Sequence, residues 1–120
     1  MLRVVVADDS RVMRQIVVRT LRQAGYDWDI TEAVDGAEAF AIARAEQPDL
    51  VLSDWNMPNM TGIELLNALR AAGDDVPLGF VTSEGSEEMR ATAEAAGALF
   101  LVAKPFTADS FRDVIEPVLA

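Results

Sequence analysis

Five polar side chains stand directly behind short apolar runs. Asp8 and Asp9 follow a run of valines, Asp54 follows Leu50-Val51-Leu52-Ser53, Thr82 follows Leu78-Gly79-Phe80-Val81, and Lys104 follows Leu99 to Ala103. Together they offer three carboxylates, a hydroxyl and an ammonium. Two carboxylates about 4 Å apart repel by roughly 4 kcal/mol at an effective dielectric near 20. Three in one place therefore call for a cation beyond Lys104. Donors that are all oxygen favour Mg²⁺, which keeps several waters and commonly bridges one or two carboxylates to phosphate oxygens. An aspartate carboxylate can also act as a nucleophile toward phosphorus, giving an acyl phosphate. The ion would then offset charge on both partners, while Lys104 and the Thr82 hydroxyl would hold the remaining phosphoryl oxygens.

Each residue also has a plainer reading. Asp8, Asp9 and Ser10 lie where a helix N-cap is expected. Asp54 could be a turn aspartate, Thr82 with Ser83 could end a strand, and a lysine before Pro105 is usually solvated. These readings give no reason for all five to share one edge of a fold, and that shared edge favours an ion-and-phosphate site.

The edge comes from the elements that carry these residues. Leu2 to Ala7 is short, valine-rich and continuously apolar, as suits a strand covered on both faces. Met13, Ile16, Val17 and Leu21 then recur at helical spacing up to Gly25, a helix-stop residue. Trp28, Ile30, Glu32 and Val34 suggest a second strand and Asp35-Gly36 a turn. Ala37 to Ala45 reads as a helix with Phe40 and Ala43 inward, stopped by Pro48. Leu50 to Ser53 is a third strand. A loop through Pro58 and Gly62 leads to a helix carrying Ile63, Leu66 and Leu69, closed by Gly73. Pro77 introduces a fourth strand, Leu78 to Val81. A helix from about Ser86 to Ala96 follows, with Ser86 as N-cap, Glu87 and Glu88 at the favourable end of its dipole, and Met89 and Ala93 on one side. Leu99 to Ala103 is the fifth strand. The last helix begins after Pro105 with Thr107 as cap and buries Phe111, Val114, Ile115 and Val118.

Strict alternation of five strands and five helices predicts an α/β fold, a doubly wound parallel sheet with right-handed crossovers, over one domain spanning 1–120. Ligands of such sheets bind at the carboxyl ends of the strands, where the five polar residues stand.

Composition narrows the chemistry. The chain has 120 residues, 51% of them hydrophobic, and contains no cysteine and no histidine. That removes disulfides, thiolate metal sites, thiol catalysis, and the usual general base and transition-metal ligand. A formal charge of −10 opposes nucleic-acid binding, which needs Lys and Arg to release counterions, and opposes a peripheral membrane anchor. The N-terminal apolar run is too short for a signal peptide or a spanning helix, so a cytoplasmic location is expected.

Four separated segments carry a resemblance: Val6-Ala7-Asp8-Asp9-Ser10, Asp54-Trp55-Asn56-Met57-Pro58-Asn59-Met60-Thr61-Gly62, Val81-Thr82-Ser83-Glu84 and Lys104-Pro105-Phe106-Thr107. In this order and spacing the chain resembles, from end to end, response-regulator receiver domains, and among them the chemotaxis type. The resemblance implies a flavodoxin-like receiver fold with strand order 2-1-3-4-5. It implies that Asp54 accepts a phosphoryl group from a histidine kinase, a phosphotransfer protein or a small phosphodonor. Asp8 and Asp9 would hold Mg²⁺, with Asp54 and the backbone carbonyl of Asn56 completing the protein ligands. Thr82 would move toward the phosphoryl group and Lys104 would pair with it. The resemblance further implies a cis Lys104-Pro105 bond, tuning of dephosphorylation by Asn56 and Glu84, and an output surface on helix four, strand five and helix five. Met89, Arg90 and Leu101 are candidate contacts there. Such a protein is no enzyme beyond its own phosphorylation and dephosphorylation, and is expected to be a monomer or weak dimer.

Two positions depart from the family pattern. Leu101 stands where many relatives carry a Tyr or Phe switch, and the adjacent Phe100 points to the opposite face of its strand, so it does not substitute. Ser83 stands where a smaller residue is common. Two other classes compete with the phosphorylation switch. A phosphorylation-independent receiver used only as an interaction module is opposed by the intact acidic set. An aspartyl-phosphate phosphatase of the haloacid-dehalogenase kind is opposed by Asn56, which occupies the second-aspartate position of its Asp-x-Asp motif.

Overall fold

The computed structural model describes residues 2–119. Its elements are β1 (Arg3–Ala7), α1 (Arg11–Gln23), β2 (Asp29–Ala33), α2 (Gly36–Glu46), β3 (Leu50–Ser53), α3 (Gly62–Ala71), β4 (Leu78–Thr82), α4 (Glu87–Ala96), β5 (Phe100–Ala103) and α5 (Ala108–Leu119). All four strand pairings are parallel and the order is β2-β1-β3-β4-β5. The expected alternation and strand order are both borne out.

Side chains alternate across each strand, and the alternation splits the core in two. Val5, Ala7, Val51, Leu78, Phe80 and Leu101 face one way, toward Ala39, Ala43, Leu65, Leu66, Leu69 and Ala93 of α2, α3 and α4. Val4, Val6, Leu50, Leu52, Val81 and Val102 face the other way, toward Val17, Leu21, Phe111 and Ile115 of α1 and α5. Both faces are covered, so the strands read as continuous apolar runs.

Helix ends follow local chemistry. Ser10, Asp35, Thr61 and Ser86 each cap a helix by accepting a backbone N–H three residues on, and Thr61 forms a full capping box with Glu64. Thr107 takes the same role before α5, accepting from the Ser110 N–H at 3.2 Å.

Several local expectations shift. β1 begins at Arg3 and β5 at Phe100, while Leu99 lies outside the strand, half exposed. Asp35-Gly36 is not a free turn but the cap and first residue of α2. Phe40 is only partly buried, the deeper positions on α2 being Ala39 and Ala43. On α5, Val114 and Val118 are partly buried and Phe111 and Ile115 fully so. Ile16 is not a core residue and is 38% exposed, because α1 is rotated to bury Arg14 beside Val17 and Leu21.

Candidate functional site

The strand order places β1 and β3 side by side at the centre of the sheet, with Ala7 opposite Ser53. The next residue on each strand is an aspartate, and the Asp54 N–H donates to the Ala7 carbonyl at 2.9 Å. On the neighbouring pair Thr82 lies opposite Ala103, and the Lys104 N–H donates to the Thr82 carbonyl at 2.7 Å. Parallel register thus delivers Asp8, Asp54, Thr82 and Lys104 to one edge, at the point where the chain changes winding direction.

One carboxylate oxygen from each of Asp8, Asp9 and Asp54 lies within 4.8 Å of the others. Asp8 is almost fully buried, Asp54 half-buried and Asp9 exposed. Lys104 Nζ reaches Asp8 Oδ2 at 3.2 Å and Asp54 Oδ2 at 3.5 Å. The other oxygens are also engaged: Asp8 Oδ1 accepts from the Ser10 N–H at 2.8 Å and Asp54 Oδ1 from the Trp55 N–H at 2.7 Å. The capping function at this strand end belongs to Ser10, whose hydroxyl accepts from the Met13 N–H. The plainer reading of Asp8 and Asp9 as caps is thereby removed.

Burial pushes the Asp54 carboxyl above its ordinary value. The Lys104 ammonium pulls it down, the Asp8 carboxylate pushes it up again, and the Trp55 N–H pulls it down. Three carboxylates against one ammonium leave an excess of negative charge, and every donor is a hard oxygen. The set fits a small divalent cation such as Mg²⁺, and a soft-metal site is ruled out by the absence of cysteine and histidine.

Thr82 is the last residue of β4 and wholly buried. Its hydroxyl oxygen accepts from the Glu84 N–H at 3.3 Å, and among the described residues it makes no hydrogen bond to Asp54 or Lys104. Asn56, Ser83 and Glu84 are exposed at the rim. The segment between Asp54 and α3 is held tightly: the Gly62 N–H donates to the Trp55 carbonyl at 2.8 Å, and a Cβ on Gly62 would stand 2.3 Å from the Asp54 carbonyl oxygen. The Lys104-Pro105 bond is cis.

On the face of α4 and β5, a groove of about 380 Å³ is lined by Arg90, Ala93, Glu94, Ala98, Leu99, Phe100 and Leu101. Arg90 is exposed and its guanidinium donates to the Leu101 carbonyl at 3.1 Å. Met89 is partly buried against the core. Leu101 corrects the expectation of a surface contact. At 6% exposure its side chain belongs to the core, because both faces of β5 are covered. Phe100 packs on the opposite face, as the alternation requires.

One residue that the sequence did not single out also touches the site. Arg14 is buried, donating to the Asp8 carbonyl and to Glu32 Oε1, each at 2.8 Å. Its position three and seven residues before Val17 and Leu21 was the available signal, since it shares their helical face.

The family model described as the response regulator receiver domain matches residues 4–116. A chemotaxis protein CheY homolog of Campylobacter jejuni is 38% identical, covering 98% of this chain and 92% of its own. Among solved structures, the chemotaxis response regulator CheY4 of Vibrio cholerae has a TM-score of 0.85 at 37% identity, with 98% of each chain covered. The signal receiver domain of the putative response regulator NarL from Mycobacterium tuberculosis has a TM-score of 0.82 at 30% identity, covering 98% of this chain and 93% of that one.

Proposed function

This chain belongs to the response regulator receiver domain family, and on that premise we propose that it is a two-component signalling switch phosphorylated on Asp54. The observation that carries the reading is the meeting of Asp8, Asp9 and Asp54 within 4.8 Å, with Lys104 bridging two of them.

Asp54 Oδ attacks the phosphorus of a phosphohistidine, on a kinase or phosphotransfer protein, or of a small acyl phosphate. The new O–P bond forms as the N–P or O–P bond of the donor breaks, and the bonding pair leaves with the donor. No proton need leave Asp54, which reacts as the carboxylate. Asp8, Asp9 and Asp54, with the Asn56 carbonyl, would hold Mg²⁺. When bound, that ion offsets the charge of the acidic set and of the incoming phosphoryl group. Lys104, already between Asp8 and Asp54, exchanges a carboxylate partner for a phosphoryl oxygen. Thr82 reaches the phosphoryl group by giving up the Glu84 N–H. Asn56, Ser83 and Glu84 at the rim govern the access of the hydrolytic water. Output passes through the α4-β5-α5 face, with Arg90 and Met89 as contacts and Leu101 acting from beneath. The chemotaxis pathway is favoured by the similarity to chemotaxis relatives.

The test is intact mass after incubation with MgCl₂ and acetyl phosphate. One added phosphoryl group, absent from Asp54→Asn and absent in chelator, is the expected result. No addition under conditions that label a known receiver would overturn the assignment.

A further inference from the structure

β2 supplies none of the five site residues, yet its carboxyl end is tied to the two loops, after β1 and β3, that carry the three aspartates. On one side, the Asp8 N–H donates to the Ala33 carbonyl at 3.1 Å, and Glu32 anchors the Arg14 guanidinium that holds the Asp8 carbonyl. On the other side, Asp35 divides its carboxylate between two tasks. Oδ1 caps α2 by accepting from the Glu38 N–H at 2.7 Å, and Oδ2 accepts from Asn59 Nδ2 at 2.7 Å. One residue on, the Gly36 N–H donates to the Met60 carbonyl at 3.1 Å. The approach is so close that a Cβ on Gly36 would stand 2.3 Å from the same oxygen. Asn59 itself holds a left-handed backbone, φ 68.

We infer that Asp35 and Gly36 are positioning residues for the metal site: they clamp the segment between β3 and α3, and so fix the Asn56 carbonyl against Asp8 and Asp9. The inference rests on the reading of the acidic set as a Mg²⁺ site. Mg²⁺ demands near-ideal octahedral geometry, and a ligand carried on an exposed loop meets that demand only if the loop is held in advance. Partners that orient metal ligands typically contribute about 10–100-fold in affinity. The clamp at Asn59 and Met60 lies three and four residues past Asn56. It hangs from the same strand end that fixes Asp8, so both ligand loops share one frame.

Three variants of the full chain separate this role from a merely structural one. Gly36→Ala suits the first turn of a helix but forces the Met60 carbonyl to move. Asn59→Gly keeps the left-handed backbone without strain and deletes the side-chain bond. Asp35→Ser retains a good N-cap and is too short to reach Asn59. Titration of each with MgCl₂ by calorimetry, alongside urea unfolding in chelator, is the experiment.

We expect the Mg²⁺ dissociation constant to rise about 10-fold in Gly36→Ala and about 3–10-fold in each of the other two. The Asn59→Gly/Asp35→Ser double variant should be no weaker than the weaker single, since both remove one bond. Dissociation constants within twofold of wild type in Gly36→Ala and Asn59→Gly would overturn the inference, whatever happens to stability. If Gly36→Ala does not fold, Asn59→Gly decides alone. Asp9→Asn is the control for the site itself. A wild type with no Mg²⁺ response would overturn the underlying site reading and the inference with it, whereas a responsive wild type whose variants bind Mg²⁺ within twofold of it overturns the inference alone.

Discussion

Replacing Asp54 with Asn should make the metal-free protein more stable, although it removes an ion pair. At an effective dielectric near 20, the Lys104 ammonium 3.5 Å away attracts the Asp54 carboxylate by about 5 kcal/mol, and the Asp8 carboxylate, within 4.8 Å, repels it by at least about 3.5 kcal/mol. The two nearly cancel. What remains is the loss of hydration of a carboxylate whose side chain is only 12% exposed, a cost of several kcal/mol for a buried ion. Burial is accordingly the dominant influence on Asp54, and it raises the carboxyl above its ordinary 3.8. The net gain expected for Asp54→Asn is about 1–3 kcal/mol, or roughly 3–10 °C in Tm for a domain of this size.

The pH dependence follows from the sign of that shift. A group whose folded pKa is raised binds its proton more tightly in the native state. Its favourable contribution is therefore complete below 3.8 and is lost as pH rises through the raised folded value. The advantage of Asp54→Asn should be full at pH 8, decline through the acid range, and vanish near pH 3. Saturating MgCl₂ should stabilise wild type by about 2.7 kcal/mol at a hundredfold excess over Kd, and the variant by less because it lacks one ligand oxygen. The gap should then close or reverse. Thermal and urea unfolding in chelator, at several pH values and then with Mg²⁺, measure all of this. A variant no more stable than wild type at pH 8 in chelator, or an advantage unchanged at pH 3, would refute the reasoning.

Three further outcomes follow. Lys104→Met leaves Asp8 and Asp54 facing each other without a cation and should cost about 2–4 kcal/mol in chelator, much of it regained with Mg²⁺, as read by urea unfolding with and without the ion. A Cβ at Gly79 would stand 2.1 Å from the Phe100 ring, so Gly79→Ala should destabilise by about 1–3 kcal/mol. Adding Phe100→Leu should recover part of that loss in a double-mutant cycle, and a purely additive cycle would contradict the contact. Phe111 is fully buried between α5 and the sheet, and Phe111→Ala should cost about 3–5 kcal/mol in equilibrium unfolding.

The sequence by itself determined the element order, the parallel doubly wound class and the identity of the polar residues at the strand ends. These rest on local physics. Continuous apolar runs need cover on both faces, glycine and proline punctuate helices, and residues just past parallel strands fall on one edge. The resemblance supplied the strand order, and with it the adjacency of Asp8 and Asp54. Tertiary structure alone decided which neighbours each side chain meets. It buried Arg14 on the helical face shared with Val17 and Leu21, and turned Ile16 outward. It made Asp35-Gly36 a clamp on the segment after β3 where a turn was expected, and sank Leu101 into the core beneath the surface it was expected to form. The hydrogen bonds of Arg14 and of the Asp35-Gly36 clamp join residues 6 to 24 positions apart, and spacing along a chain carries no record of such partnerships. The spread of charge over Asp8, Asp54 and Lys104 is of the same kind. Its consequence, an aspartate held above its ordinary pKa beside a lysine, follows from burial, which only the folded chain sets.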